Sequence, residues 1–98
     1  VEENMELSNQ RLQEEVKGYI ITVLKDEFYI DLNPDINGDE NFFNHKINLS
    51  ARNMVYLFFL SEKHYDICFT EKDIDSLSFY TFNGLRDIIV NHIKTRCN

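Results

Sequence analysis

The sequence predicts an all-α domain. Three observations carry that expectation. Apolar residues recur at three- and four-residue spacing in three separate segments, no alternating strand pattern of any length occurs, and turn signals gather between residues 33 and 39. At 98 residues the chain has room for one core. Its apolar fraction of 43% is that of a globular chain rather than a disordered one.

Residues 1–10 are polar and acidic, and are expected to form a flexible or frayed segment before a single domain over 11–98. From Arg11 the pattern turns helical. Leu12, Val16, Tyr19, Ile20, Val23, Leu24 and Phe28 form the apolar stripe, and Ser8 or Asn9 is the candidate cap. Gly18 lowers helix propensity within this stripe and suggests a point of close packing.

Tyr29 to Asn41 reads as a long loop, with Asn33-Pro34-Asp35 and Asn37-Gly38-Asp39 as turn signals. Alternate oxygens at Asp35, Asn37 and Asp39 resemble the start of a calcium loop. Its glycine comes at the fourth position instead of the sixth, and the twelfth position is Lys46 instead of a glutamate, so a solvated turn is expected and no metal. Phe42 and Phe43 return the chain to the core.

A second helix is expected from Ser50, a preferred capping residue type, to about His64. Val55, Phe58, Phe59 and Tyr65 are its expected inward stripe. Met54, Tyr56, Leu57 and Leu60 widen the apolar surface past half the circumference, so the helix is either buried on most sides or has an apolar face for something else. Asp66-Ile67-Cys68-Phe69 is an extended link. Thr70 to Leu77 allows one short helix capped by Thr70 or Asp73. Thr81 is the candidate cap of the last helix, whose stripe is Phe82, Leu85, Ile88, Ile89 and Ile93, with Arg86, Asp87, Asn91 and Lys94 on its wet face. Three main helices, one short helix and a long loop between the first two make an irregular four-helix bundle.

The net charge of −7 argues against nucleic acid, whose phosphates need a basic surface, and fits contact with basic patches on other proteins. No apolar run approaches the roughly 18 residues of a membrane span. The acidic opening does not read as a signal or transit peptide, so a cytoplasmic location is expected. Cys68 and Cys97 lack zinc-site spacing; Cys68 is expected to be buried and Cys97 to lie near the tail. A disulfide between them is the alternative, which a cytoplasmic location argues against. His64 lies close to Cys68 in sequence, but at a helix end and in a link, without the shaped site that a nucleophile and base require. No enzyme is expected.

The joint spacing of Phe43, Ile47, Val55, Leu57, Phe58 and Tyr65 about Ala51, followed by Asp66-Ile67-Cys68-Phe69 and Thr81-Phe82-Asn83-Gly84-Leu85, resembles the acyl and peptidyl carrier protein family over residues 11–94. More narrowly, the chain is similar to the acyl-carrier-related proteins of bacterial peptide maturation systems. The resemblance implies a bundle of acyl-carrier type. It places Ala51 where carriers have the serine that takes 4'-phosphopantetheine, with Asn48, Ser50 and Arg52 in place of the flanking glycine, aspartate and leucine. Alanine offers no nucleophile, so the implied function is a divergent carrier-like protein without an arm or other cofactor, acting through protein contacts in a biosynthetic or peptide-maturation pathway. A rival register puts the arm on Ser50 and makes the chain a working acyl or peptidyl carrier. A third reading is a small helical adaptor domain unrelated to carriers.

The implied partners are proteins such as biosynthetic or peptide-modifying enzymes. The second helix presents Arg52, Asn53, Tyr56, Lys63 and His64, with Glu62 its main acid, whereas the chain's acid is concentrated between Glu2 and Glu40. Arg52, Tyr56, Phe59, Leu60 and Lys63 are the candidate partner surface; extra core is the alternative for the apolar three. Val16, Val23, Val55, Phe58, Tyr65, Leu85 and Ile89 are expected to be mostly buried together.

Overall fold

The computed structural model describes residues 2–45 and 47–96, with the side chains of 9–45 and 47–95. Cys97 therefore lies outside the described residues, as does Lys46. The chain forms helices α1 (Glu2–Phe28), α2 (Pro34–Asn37), α3 (Ala51–Tyr65) and α4 (Glu71–Asp75), a 3-10 turn (Leu77–Tyr80), and helix α5 (Phe82–Arg96). Among the described residues there is no strand, only an isolated antiparallel bridge between Asn41 and Thr81. The all-α expectation holds. No helix among the described residues is long and apolar enough to cross a membrane.

At 27 residues α1 is about 40 Å long, close to the 44 Å long dimension of the molecule. It runs through positions 8 and 9, so neither Ser8 nor Asn9 caps it. Val16, Ile20, Val23 and Leu24 are buried on its inner stripe, and α5 is the helix it packs against most. The expectation for Gly18 is wrong. A Cβ built there meets nothing within 4 Å, so this glycine faces open space. The helix ends at Tyr29, which adopts a left-handed conformation (φ 59°). The Ile30 N–H then donates to the Leu24 carbonyl (2.9 Å) and the Tyr29 N–H to that of Lys25 (3.1 Å), satisfying carbonyls that a helix end leaves open.

The loop after α1 carries a short helix that the sequence reading lacks. Pro34 suits a first helical position, and the Asn33 side chain accepts from the Asp35 N–H (3.0 Å). The turn is latched to α5. The Asn83 N–H donates to the Gly38 carbonyl and the Asn83 amide to Asp39, both at 2.9 Å. A Cβ at Gly38 would come within 2.5 Å of the Pro34 carbonyl oxygen, so only glycine fits this contact. Phe42 then enters the core with no exposed surface, but Phe43 does not follow it and is 43% exposed.

Ser50 caps α3, its Oγ accepting from the Asn53 N–H (3.1 Å). The buried stripe of α3 is Met54, Leu57, Ser61 and Tyr65, one position out of phase with the expected one. Val55 is 65% exposed and Phe59 51% exposed, and Phe58 is half-buried. Of the seven residues expected to be buried together, Val16, Val23, Tyr65, Leu85 and Ile89 are buried. The helix has more apolar residues than one face can hold, so its rotation follows from its neighbours. Ser61 takes a core position because its hydroxyl donates to the Leu57 carbonyl (2.8 Å), leaving no unpaired polar atom there.

Thr70 caps α4 through a reciprocal pair: its Oγ1 accepts from the Asp73 N–H and the Asp73 carboxylate accepts from the Thr70 N–H. The single short helix expected over 70–77 instead stops at Asp75 and is followed by the 3-10 turn, which buries Phe79. Thr81 caps α5 as expected, its Oγ1 accepting from the Gly84 N–H (3.1 Å). Phe82, Leu85, Ile89, Val90 and Ile93 form the buried face of α5. Cys68 is exposed rather than buried; in this link Ile67 is half-buried and Phe69 buried, so they take the inward positions.

Two glycines give opposite tests of this packing. Gly84→Ala places a Cβ 1.8 Å from the Ser78 carbonyl oxygen, so the turn must lift off α5. A loss of about 3 kcal/mol is expected from overpacking at such a site. Gly18→Ala removes backbone entropy in open space and is expected to add about 1 kcal/mol. Urea denaturation of both variants checks these values.

Candidate docking groove

An apolar concave feature joins the exposed side of α3 to the segment that follows it. Phe43, Ala51, Met54, Val55, Phe58, Phe59, Glu62, Phe69, Ile74 and Tyr80 line a groove of about 510 Å³. Its α3 wall recurs at three- and four-residue spacing from Ala51 to Glu62, which is one stripe of a helix. This stripe lies beside the buried one, so the surplus apolar residues of α3 face the groove instead of the core.

The opposite wall is built on aromatic packing. Phe58 lies 4.0 Å from the Phe79 ring and 5.9 Å from that of Phe69, while Phe69 and Phe79 meet edge to face at 4.9 Å. Phe43 rests against Tyr80 at 5.6 Å and closes the end near Ala51. The approach to α3 is fixed by buried Ile47 and Leu49, and by the Leu49 N–H donating to the Phe42 carbonyl (2.9 Å). The Phe42 N–H in turn donates to the Tyr80 carbonyl (2.7 Å). Glu62 is positioned by its Oε2 accepting from the Phe69 N–H (2.9 Å).

The candidate partner residues divide between two places. Phe59 lines the groove, with the Lys63 ammonium 5.3 Å from its ring centre. Arg52 and Lys63 are exposed. Arg52, Phe59 and Lys63 recur at seven- and four-residue spacing, so on α3 the two cations border Phe59. Tyr56 and Leu60 sit over the seam with α1. Tyr56 meets Phe28 edge to face at 6.0 Å, and the Leu60 carbonyl accepts from the Tyr19 hydroxyl (3.1 Å). Ser50 and Ala51 are exposed at the start of α3, and the Ala51 methyl lines the groove.

Helix α4 contributes Ile74 to the groove yet buries no residue of its own. Polar ties hold it. The Tyr80 hydroxyl donates to the Ile74 carbonyl (2.9 Å), and His92 on α5 donates from Nε2 to the Asp73 carboxylate (2.5 Å). The same carboxylate oxygen accepts from the Thr70 N–H, so one atom caps α4 and ties it to α5. These groups settle the Asp73 carboxyl. Burial pushes its pKa up, but the Thr70 N–H, the His92 ring and the Thr70 hydroxyl together bring it below the usual carboxylate value. This tie had no signal in the sequence, because its partners are 19 residues apart and on different helices.

His64, the nearer histidine to Cys68 in sequence, stacks on Tyr19 at 4.1 Å. Burial raises the hydroxyl pKa of both Tyr19 and Tyr65 beside it. Cys68 and His92 border a separate hollow of about 250 Å³ with Asp66, Ile67 and Thr95. In the calcium-like stretch, two carboxylates are engaged in structure. Asp39 accepts from Asn83, and Glu40 accepts from the amides of Asn37 and Asn44.

A group whose folded pKa is depressed adds stability above its unfolded pKa and loses it as the carboxyl protonates. Asp73→Asn keeps an oxygen that can cap α4 but removes the charge facing His92. It is expected to cost about 1 kcal/mol at neutral pH. The gap to the parent should begin to narrow as pH falls below about 4, the unfolded carboxyl's range, and close only below the depressed value of the folded carboxyl. Thermal melts across this range check the sign.

No family model, no curated protein and no solved structure matches the chain.

Proposed function

We propose that this chain is a divergent carrier-like protein that bears no prosthetic arm and acts by binding other proteins through the groove on α3. One observation carries the reading. At the first position of α3, a methyl group, Ala51, lines the mouth of an apolar groove, where the carrier resemblance calls for a serine nucleophile. The element order is compatible with a bundle of acyl-carrier type: a long first helix, a long connection, a helix opening at Ala51, a short helix and a last helix. Exposed Val55 and Phe59 supply apolar area that a partner can cover, and Arg52 and Lys63 beside Phe59 favour a partner with acidic groups there. Biosynthetic or peptide-modifying enzymes are the implied partners.

The alternative is a working carrier with 4'-phosphopantetheine on Ser50. The observation in its favour is that Ser50 is exposed at the N-terminus of a 15-residue helix, where the backbone dipole suits a phosphodiester. Its Oγ already accepts from the Asn53 N–H, which an attached phosphate would disturb.

Incubation with a broad-specificity phosphopantetheinyl transferase and coenzyme A, followed by intact-mass measurement, separates the two. An unchanged mass is expected. A gain of one phosphopantetheine that disappears in Ser50→Ala would overturn the arm-less reading and establish the shifted attachment site.

A further inference from the structure

We propose that the groove face pairs with a second copy of this chain about a two-fold axis running along the groove, so that Arg52 and Lys63 of each copy meet Glu71 and Asp75 of the other. The centre of the face is apolar and exposed: Val55 at 65%, Phe59 at 51%, Phe43 and Ile74 at 43% each. Opposite charge predominates on its two sides: on α3 Arg52 and Lys63 are exposed although Glu62 lines the groove, and on α4 exposed Glu71 and Asp75 outnumber exposed Lys72. Arg52 and Lys63 border Phe59 on α3, while Glu71 and Asp75 stand on either side of Ile74 in the sequence of α4; all four are exposed. Glu71 and Asp75 are four residues apart and therefore share a face of that helix.

A two-fold contact places the same patch on both subunits, so the patch must complement itself. Rotation about an axis along the groove brings the basic edge of one copy onto the acidic edge of the other and lays the two apolar centres together. The net charge of −7 opposes association through most of the surface. A face with both signs on opposite edges relieves that repulsion where the copies touch. At physiological salt the screening length is about 8 Å, so the touching charges outweigh the distant ones.

The inference goes beyond the arm-less reading and rests on the groove's own geometry, not on the carrier resemblance. Pairing covers the groove, so a second copy and a protein partner compete for it.

Sedimentation velocity over protein concentrations up to about 1 mM at physiological salt tests it. A concentration-dependent dimer is expected. Val55→Glu should weaken it at least tenfold with an unchanged circular dichroism spectrum, since Val55 contributes little to the core. Reversing the basic edge (Arg52→Glu with Lys63→Glu) should also abolish pairing, and reversing the acidic edge as well (Glu71→Lys with Asp75→Lys) should restore it. A monomer at every concentration overturns the proposal. So does a dimer that survives Val55→Glu, or one whose loss on reversing one edge is not rescued by reversing the other. None of these outcomes depends on whether Ser50 can be modified.

Discussion

The carbonyl oxygen of Ser78 occupies the space that a side chain at position 84 would need. Because Gly84 has none, the 3-10 turn lies directly on the first turn of α5. That contact sets the positions of Phe79 and Phe82, both without exposed surface. Phe79 is the ring on which Phe58 of α3 and Phe69 of the link both rest. The Tyr80 carbonyl receives the Phe42 N–H, so the long loop is anchored to the same turn. A small displacement here would reach α3, the link and the loop together, because close-packed interiors transmit strain instead of absorbing it.

The groove follows from this arrangement and from the composition of α3. One side of that helix is taken by α1 and the 3-10 turn. The apolar residues left over, Val55 and Phe59, face outward beside a wall of aromatic rings. Burying what remains exposed of both would repay roughly 1 kcal/mol each in water-to-apolar transfer, a driving force for association that the single chain leaves unused. The wall on the other side is of a different kind. Helix α4 has no buried residue and is held by the Thr70–Asp73 cap, the Asp73–His92 bond and the Tyr80 hydroxyl. Elements held by exposed polar bonds rather than apolar burial sit at the low end of local stability. The groove thus has one wall set in the core and one tied on by a few bonds.

Charge is arranged with the same asymmetry. The acid that dominates the chain lies mainly in α1 and the loop after it, and part of it is spent on structure, as in the Asp39–Asn83 bond. On α3 the cations Arg52 and Lys63 stand beside exposed apolar surface, with Glu62 turned to the Phe69 N–H. Near the groove Glu62 and Asp73 serve as tie and cap, whereas Arg52, Lys63, Glu71 and Asp75 are presented outward.

The sequence by itself determined the long helices α1, α3 and α5 and the caps Ser50, Thr70 and Thr81. Three-to-four spacing in α1 and α5 has one solution, since each has a single apolar stripe. The hydroxyls of Ser50, Thr70 and Thr81 precede helices whose first N–H groups need an acceptor. Each of these is a local matter of a few residues. The tertiary structure alone decided the rotation of α3, because Met54 through Leu60 offers apolar residues on several faces and periodicity cannot choose among them. It likewise decided that Cys68 faces outward, that Gly18 has empty space beside it while Gly84 has none, and that the turn at Asp39 is latched to Asn83. Those outcomes depend on which distant atom arrives at a position, and such contacts span up to 44 residues of chain. The groove belongs to the same class: its residues are separately visible in the sequence, but only the packing of Phe58 on Phe79 leaves Val55 and Phe59 outside.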